Sequence, residues 1–463
     1  MLRWICAIML LLIVAGVVAE QYVVHTGRTV TGKPVVRVAC ASWQMGEMPF
    51  EPFIEAYRQT HPEVEVELAI LPDDSNNKLV MLWQHDQTPY DVLIAYADEE
   101  IHTFIRQGLL ADVSDYLTPE QMATFVPASM AGSTVVGSDG RPRRYMVPFT
   151  IEMMTLNVQA HLLRQRGHTK PPATWDELRR MAADCKGFES AGRTVWPMAC
   201  DFGQGFFFGQ NYYIPLLAAF TEGQIADAEG RLVITGPQAE RAFAEAKQWY
   251  LDGLVSESAK IFEQADRDFM AGLAVIYPHW QSRSAYAQLE FPDAEFVPWP
   301  VPGSDVAGSL VSCYGAIVPK ASRVKEQAVQ FAYECLSQWI QPAVAATGKM
   351  PPVSNVYEYG FDKIPPWLQK LQERFAGERP DWLEAVENVY TQAKLPQWMI
   401  DLRPALEKGY SFPDKLMWPK VNHELAIEFQ RYLDGIHATP ADALTALKKS
   451  VDAMYERRRE REM

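Results

Sequence analysis

The chain has 463 residues, of which 48% are hydrophobic and 22% charged, and its formal net charge is −15 at pH 7. This composition can bury real cores and excludes a chain that is disordered throughout, a collagen and a multi-span membrane protein. The acidic balance argues against a nucleic-acid partner, because nucleic-acid binders present a basic face. At roughly 150 residues per domain, the length predicts two large domains or about three smaller ones.

Residues 1–19 have the pattern of an export signal. Arg3 supplies a positive start, and the stretch from Trp4 to Ala19 carries no charge. As a helix this stretch spans about 24 Å, which is short of the ~30 Å hydrocarbon core, and small residues precede Glu20 as a cleavage site requires. An uncleaved membrane anchor is the alternative, since a thinned bilayer accepts a short span. Both versions predict a protein in the periplasm or tethered to the outer face of the cytoplasmic membrane, with residues 20–34 as a polar tether.

The segment after the tether alternates short strands with helices. Strands are predicted at 35–39, 64–70 and 91–95, and helices at 50–57, 78–84 and 100–107. Repetition of this kind predicts a parallel sheet with crossover helices. Such sheets bind ligands beyond the carboxyl ends of their strands.

The remainder of the chain continues the mixture of helix and strand. Thr174 and Glu177 form a capping box that predicts a helix start. Three prolines between 296 and 302 predict an extended connector rather than a helix or a central strand. Further elements are predicted as helices after Pro237, Lys325 and Pro440, and as strands at 273–277 and 315–319.

Five cysteines follow the predicted signal, so at least one thiol stays unpaired or pairs between chains. Cys185 and Cys200 are closest in sequence and bracket a polar loop, and we predict that they form a disulfide. Two buried thiols are one alternative, and competition from a pair of Cys40 with Cys313 is another. The chain contains neither a CxxC nor an HExxH motif, and we predict no metal and no cofactor.

Several motifs occur in a fixed order between residues 35 and 355. Asp91-Val92 is followed by GLL at 108–110 and DYL at 115–117, and Pro148-Phe149 by PPATWDEL at 171–178. AGLA at 271–274 with Trp280 then precedes PVPG at 300–303, and GKMP at 348–351 completes the order. Together these motifs resemble the extracellular solute-binding proteins of ABC importers, specifically the sugar-binding group to which maltose-binding protein belongs. Pro278 stands where that group usually has glycine, and residues 357–420 match none of its motifs.

The resemblance implies an α/β, two-lobed, periplasmic-binding-protein-like fold with a hinge, in which each lobe is a mainly parallel sheet flanked by helices. We assign residues 35–147 and 303–344 to the first lobe, and residues 148–299 and 345–463 to the second. A ligand is expected to bind between the lobes. The implied partners are a sugar or oligosaccharide and the membrane permease subunits of an ABC transporter, and the protein is expected to be a monomer.

A sugar presents apolar C–H faces and a rim of hydroxyl groups, which flat aromatic rings and polar side chains complement. We therefore expect the ligand to contact aromatic and polar residues near the predicted strand ends and the crossings between lobes: Trp43, Gln44, Glu47, Asp98, Phe149, Glu152, Tyr212, Trp280, Tyr314 and Gly315. Packing, capping or plain solvation is the alternative for several of them. Trp43 would then cap the sheet, Asp98 start a helix, Glu152 lie in a turn, and Tyr212 belong to the core.

The chain contains no GxSxG, P-loop or GxGxxG motif after a strand. We therefore predict a receptor for a sugar or oligosaccharide and not an enzyme. One alternative is a receptor for a polyamine, which needs clustered acids, or for a phosphorylated polyol, which needs arginine or a helix N-terminus. The other alternative is a secreted glycoside hydrolase that uses a pair of carboxylates.

Overall fold

A computed structural model describes residues 26–29, 32–72, 76–97, 99–137, 139–190, 192–203, 207–261, 263–361, 363–413 and 417–462. The predicted signal and most of the predicted tether lie outside the described residues. The strands, in chain order, are β1 Val35–Ala41, β2 Glu65–Leu71, β3 Val92–Tyr96, β4 Thr134–Val136, β5 Pro142–Arg144, β6 Val147–Gln159, β7 Phe188–Ser190, β8 Arg193–Met198, β9 Ala274–Trp280, β10 Phe296–Pro300 and β11 Val311–Ile317.

The α-helices, in chain order, are α1 Ser42–Glu47, α2 Phe50–Thr60, α3 Asn76–Gln84, α4 Glu99–Arg106, α5 Pro119–Ala123, α6 Pro127–Ala131, α7 Ala160–Gln165, α8 Trp175–Asp184, α9 Ile214–Phe220, α10 Pro237–Leu251, α11 Gln264–Met270, α12 Ser282–Glu290, α13 Ser304–Ala307, α14 Lys325–Phe331, α15 Gln341–Ala346, α16 Val356–Tyr359, α17 Pro366–Arg374, α18 Asp381–Gln392, α19 Gln397–Glu407, α20 Trp418–Leu433 and α21 Pro440–Glu462. Short 3₁₀ turns occur at Val113–Asp115 and Glu257–Lys260, and π-helical stretches at Gly209–Tyr213 and Ala332–Trp339. Within the described part of the chain, no helix combines the length and the apolar character needed to cross a membrane.

The chain divides into two compact units. Unit 1 runs to Ile151 and takes in Cys313–Ala346 and Pro351–Leu395, and unit 2 comprises Glu152–Ser312, Thr347–Met350 and Pro396–Met463. These bounds differ from the predicted lobes, because 303–312 belongs to unit 2 and 351–395 to unit 1.

Packing explains why residues 351–395 belong to unit 1. Helices α17 and α18 pack against α2. Trp367 stacks on Trp339 with ring centroids 4.2 Å apart, and the Tyr390 hydroxyl donates to the Trp339 carbonyl at 2.8 Å. The aromatic residues that match no family motif therefore complete the core of unit 1.

The sheet of unit 1 has the strand order β2-β1-β3-β11. Strand β1 runs parallel to β2 and β3, and β11 runs antiparallel to β3. Arg37 on β1 donates to Asp91 at 3.0 Å, and the Ser322 hydroxyl donates to the same buried carboxylate at 2.8 Å. Helix α2 covers the sheet with its apolar side, because Phe53 and Tyr57 recur at helical spacing and are both buried. The predicted α/β pattern is confirmed here.

The sheet of unit 2 is mainly antiparallel, which corrects the expectation of a mainly parallel sheet in each lobe. Strand β6 pairs antiparallel with β9 and with β10, and β8 pairs antiparallel with β7. Only β8 and β9, among the described strands of this unit, run parallel. The proline-rich segment at 296–302, predicted to be a connector, supplies β10. Among the described strands it pairs with β6 alone, so Pro298 and Pro300 remove donors from an edge strand, where prolines are tolerated.

The predicted disulfide between Cys185 and Cys200 is wrong, because both residues are free thiols. Cys185 follows α8 and continues its buried apolar face, beside Leu178 and Ala182. Cys200 is completely buried after the end of β8. Burial raises the pKa of the Cys185 thiol to about 11, so this sulfur behaves as a small apolar side chain.

Candidate ligand-binding residues

Two tyrosines meet where strands β3 and β11 of unit 1 lie side by side. Tyr96 and Tyr314 are register partners, and their ring centroids are 3.6 Å apart at an interplanar angle of 43°. Tyr314 is buried, while Tyr96 is half-buried. Tyr96 therefore offers the more accessible aromatic surface, with Tyr314 as its support.

The structure explains Gly315 by packing. A Cβ atom at this position would lie 2.2 Å from Cγ of Met146 and 2.8 Å from the carbonyl oxygen of Val147. Only a residue without a side chain therefore lets these groups approach β11 so closely. The glycine needs no ligand to account for it.

Two further candidates of unit 1 have structural partners. The side-chain carbonyl of buried Gln44 accepts from the Ala41 amide at 2.7 Å, which caps the start of α1. Phe149 is 2% exposed and packs edge-on against Phe50, with centroids 6.0 Å apart. Packing on Phe50 thus accounts for the buried Phe149 ring, and its contact with a ligand stays a prediction from the sequence. Asp98 and the side chains of Trp43 and Glu47 lie outside the described residues.

Tyr212 belongs to the aromatic core of unit 2. The side chain is completely buried, and its ring lies edge-on to Phe202 at 5.4 Å and to Trp249 at 6.3 Å. The Tyr212 hydroxyl accepts a hydrogen bond from the backbone amide of Asp201 at 3.0 Å. This packing agrees with the core alternative considered for Tyr212, and ligand contact stays a prediction from the sequence.

Glu152 forms a buried ion pair with Lys349 at the first position of unit 2. The Lys349 Nζ lies 3.0 Å from Oε1 of Glu152, and the two side chains are 3% and 2% exposed. The second carboxylate oxygen, Oε2, is buried and has no hydrogen-bond partner among the described residues. Sequence reasoning included Glu152 and missed Lys349, because 197 positions separate the two and local pattern does not link them.

Trp280 ends strand β9 with its ring only partly buried. Its neighbour across the ladder is Met154 on β6, and the ring packs against the core of unit 2. The Asn157 amide donates to the Trp280 carbonyl at 3.1 Å, which anchors the strand end. A partly exposed indole on an anchored backbone is suited to cover the apolar face of a sugar.

His279, beside Trp280, was not a sequence candidate. It is 1% exposed, lies between Tyr277 and Phe207 at centroid distances of 4.8 and 5.3 Å, and neither ring nitrogen has a hydrogen-bond partner among the described residues. Burial, with the nearby Arg283 charge, holds the pKa of His279 well below its usual value. The imidazole is therefore neutral at pH 7 and carries one donor and one acceptor. Its sequence signal was its place between Trp280 and Pro278, the position at which the resembling group usually has glycine.

A second buried acid, Asp201, is hydrogen-bonded to Tyr277 of strand β9. The Tyr277 hydroxyl donates to Oδ2 of Asp201 at 3.1 Å, and the Ala265 amide donates to Oδ1 at 3.4 Å. Burial raises the pKa of Asp201 from its usual 3.8 to about 7. Within the described ranges, no group of histidine, cysteine and acidic side chains has an arrangement that would hold a metal ion.

Each of the two α/β units carries aromatic and hydrogen-bonding side chains at strand ends, which are the residue types that small-molecule binding sites use. The chain belongs to the bacterial extracellular solute-binding proteins, whose family profile matches residues 52–376. A probable ABC transporter-binding protein of Deinococcus radiodurans is 24% identical over 259 residues, which are 53% of this chain and 54% of that protein. The match thus spans about half the length of this curated relative.

Solved structures of sugar-binding proteins share the fold. MalE of Xanthomonas citri aligns over 92% of this chain and 98% of its own length, with a TM-score of 0.70 and 17% identity. Maltose-bound MalE3 of T. maritima aligns over 91% and 99%, with a TM-score of 0.66 and 19% identity. An ABC substrate-binding protein of Listeria monocytogenes in complex with cycloalternan aligns over 92% and 99%, with a TM-score of 0.63 and 15% identity. The predicted fold class, and the prediction of a solute-binding protein rather than an enzyme, are confirmed.

Proposed function

We propose that this chain is an extracytoplasmic receptor that binds a sugar or oligosaccharide and delivers it to the membrane permease of an ABC transporter. Membership of the extracellular solute-binding family supports export, with the protein periplasmic or tethered to the outer face of the cytoplasmic membrane. The observation that carries the choice of solute is the shared fold with proteins solved with maltose and cycloalternan. The receptor acts as a monomer, and binding between the lobes stays a prediction from the sequence.

Side chains on each unit support a sugar as the solute. In unit 2, the partly exposed Trp280 ring covers an apolar sugar face, and the spare oxygen of Glu152 accepts from a hydroxyl group. In unit 1, Tyr96 offers a second ring backed by Tyr314. Stacking and charge-assisted hydrogen bonds together discriminate a sugar from an equally large apolar molecule.

Isothermal titration calorimetry against a panel of solutes tests the proposal. The panel contains maltose, maltotriose, tagatose and cycloalternan, with putrescine and a phosphorylated polyol as the non-sugar arms. We expect saturable heat from at least one sugar, and chromatography of the same mixture after incubation should recover that sugar intact. Binding of putrescine or the phosphorylated polyol alone would contradict the sugar assignment, and release of smaller sugars would indicate a hydrolase.

A further inference from the structure

We propose that Lys349 is a positioning residue for solute recognition: it holds one oxygen of Glu152 so that the other accepts a hydrogen bond from a solute hydroxyl. This inference rests on the proposed function as a sugar receptor. It concerns unit 2 alone, since Glu152 begins that unit and Lys349 lies in its four-residue segment Thr347–Met350.

The state of the Glu152 carboxylate is the first observation. Oε1 lies 3.0 Å from Lys349 Nζ, whereas Oε2 is buried and has no partner in the part of the chain that the structure describes. Native proteins rarely leave a buried polar atom unsatisfied, because the lost hydration must be replaced by another hydrogen bond. A buried oxygen that has no donor from the described residues is therefore placed to receive one from a bound molecule.

The attachment of Lys349 to unit 2 is the second observation. The side-chain amide of Gln281 donates to the Gly348 carbonyl at 3.3 Å, and its side-chain carbonyl accepts from the backbone amide of Met153. The backbone amide of Gln281 donates in turn to the Met153 carbonyl at 3.1 Å. The Gln281 side chain thus links Met153, next to Glu152, to Gly348, next to Lys349. The backbone on each side of the ion pair is therefore held by the same residue.

Gly348 shows how closely this segment approaches its support. Its φ is +76°, and a Cβ atom there would lie 2.3 Å from Cβ of Ala285 on α12. Any other residue would therefore strain the backbone and push the segment away from the helix. The glycine places the Lys349 backbone where its side chain reaches Glu152.

The charge of Lys349 gives the pair a recognition role that packing alone would not need. Apolar residues of similar volume often replace buried ion pairs without loss of stability. Because the lysine fixes one oxygen of the Glu152 carboxylate, the other oxygen is an acceptor at a fixed position. A site with such an acceptor rejects a solute that lacks the matching hydroxyl.

The test compares wild type, Lys349→Met, Glu152→Gln and the double variant by calorimetry with maltose and its monodeoxy analogues. We expect Lys349→Met to bind maltose about 10- to 100-fold more weakly, the loss typical of a hydrogen bond to a charged group. In the Glu152→Gln background the same lysine change should alter affinity by less than about 3-fold, because the acceptor is already lost. Lys247→Met is the matched control, since Lys247 donates to the Tyr432 carbonyl at 2.6 Å elsewhere in unit 2.

Deoxy analogues keep the inference testable if Lys349→Met does not fold. One monodeoxy maltose should bind wild type at least about 10-fold more weakly than maltose, and Glu152→Gln should lose this discrimination. Lys349→Arg retains the cation in a different geometry, and we expect it to reduce the same discrimination at least about 3-fold.

Two results separate this inference from the proposed function. Wild-type protein that binds no sugar overturns both. The role of Lys349 is overturned if wild type binds maltose and Lys349→Met binds it equally well. It is also overturned if the lysine change weakens maltose binding by the same factor in wild type and in Glu152→Gln. In both cases the receptor function still stands.

Discussion

The buried carboxyl of Asp201 should make the protein less stable as the pH rises from about 4 to about 7. Asp201 is 2% exposed, and burial raises its pKa from 3.8 to about 7. Because the folded state binds this proton more tightly than the unfolded chain does, the stabilisation is fully present below about pH 4. It is lost as the pH approaches 7, above which both states are ionised.

The size of the effect follows from the two pKa values. At about 1.4 kcal/mol for each tenfold change in acid strength, the interval from 3.8 to about 7 corresponds to about 4 kcal/mol of unfolding free energy. Asp201→Asn keeps the shape and an acceptor for the Tyr277 hydroxyl but cannot ionise. The variant should therefore gain stability relative to wild type as the pH rises, by up to about this amount at pH 8.

Urea denaturation followed by far-ultraviolet circular dichroism at pH 4.5, 6, 7 and 8 measures the effect. Subtracting the wild-type curve from the Asp201→Asn curve isolates this residue from the other acids, which titrate equally in both proteins. Asp293→Asn, on the exposed surface of the same unit, is the control and should give a flat difference. A difference for Asp201→Asn that is constant from pH 4.5 to 8 would refute the reasoning.

Three further predictions concern a ring, a glycine and two thiols. Trp280→Ala should weaken sugar binding about 5- to 150-fold in calorimetry, because about 1–3 kcal/mol of aromatic contact is lost, and unchanged affinity would show that the ring only packs. Gly315→Ala should lower the unfolding free energy by about 1–3 kcal/mol in thermal melts, since its methyl group would overlap Met146. Gly377→Ala is the control and should leave the stability unchanged, because a methyl group there meets no atom within 4 Å. Alkylation of unfolded, unreduced protein should label Cys185 and Cys200, and a peptide mass that links them would contradict the structure.

Local patterns of the chain predicted several of the strands and helices. The alternating residues of β2 and the apolar spacing of α2 lie where the sequence places them, because each pattern depends on neighbours within one or two turns. The same holds for the start of α8, where the Thr174 hydroxyl accepts from the Glu177 amide at 3.2 Å. The Glu177 carboxylate completes this start by accepting from the Ala173 amide rather than from that of Thr174. This local capping and the family motifs required no tertiary information.

Strand direction and unit membership were decided by contacts far apart in the chain. Strand β6 runs antiparallel to both β9 and β10, although the family resemblance implied a mainly parallel sheet in this lobe. Residues 351–395 joined unit 1 through Trp367 and Tyr390, which pack and bond to Trp339. Apolar periodicity shows which face of an element is buried but not the partner that buries it.

The candidate site likewise contains residues found from the sequence and others whose surroundings only the structure shows. Trp280 was found from its position at a strand end, and the structure leaves its ring partly exposed there. Phe149 and Tyr212 are aromatic as well, yet both are buried against rings from other helices, Phe50 for Phe149 and Trp249 for Tyr212. Lys349 could not be identified from the sequence, because only its ion pair with the distant Glu152 marks it as part of the candidate site. The sequence by itself determined which aromatic and polar side chains stand near strand ends. Only the tertiary structure decided which of them are buried and which are paired, because burial and pairing depend on distances between atoms that chain order does not specify.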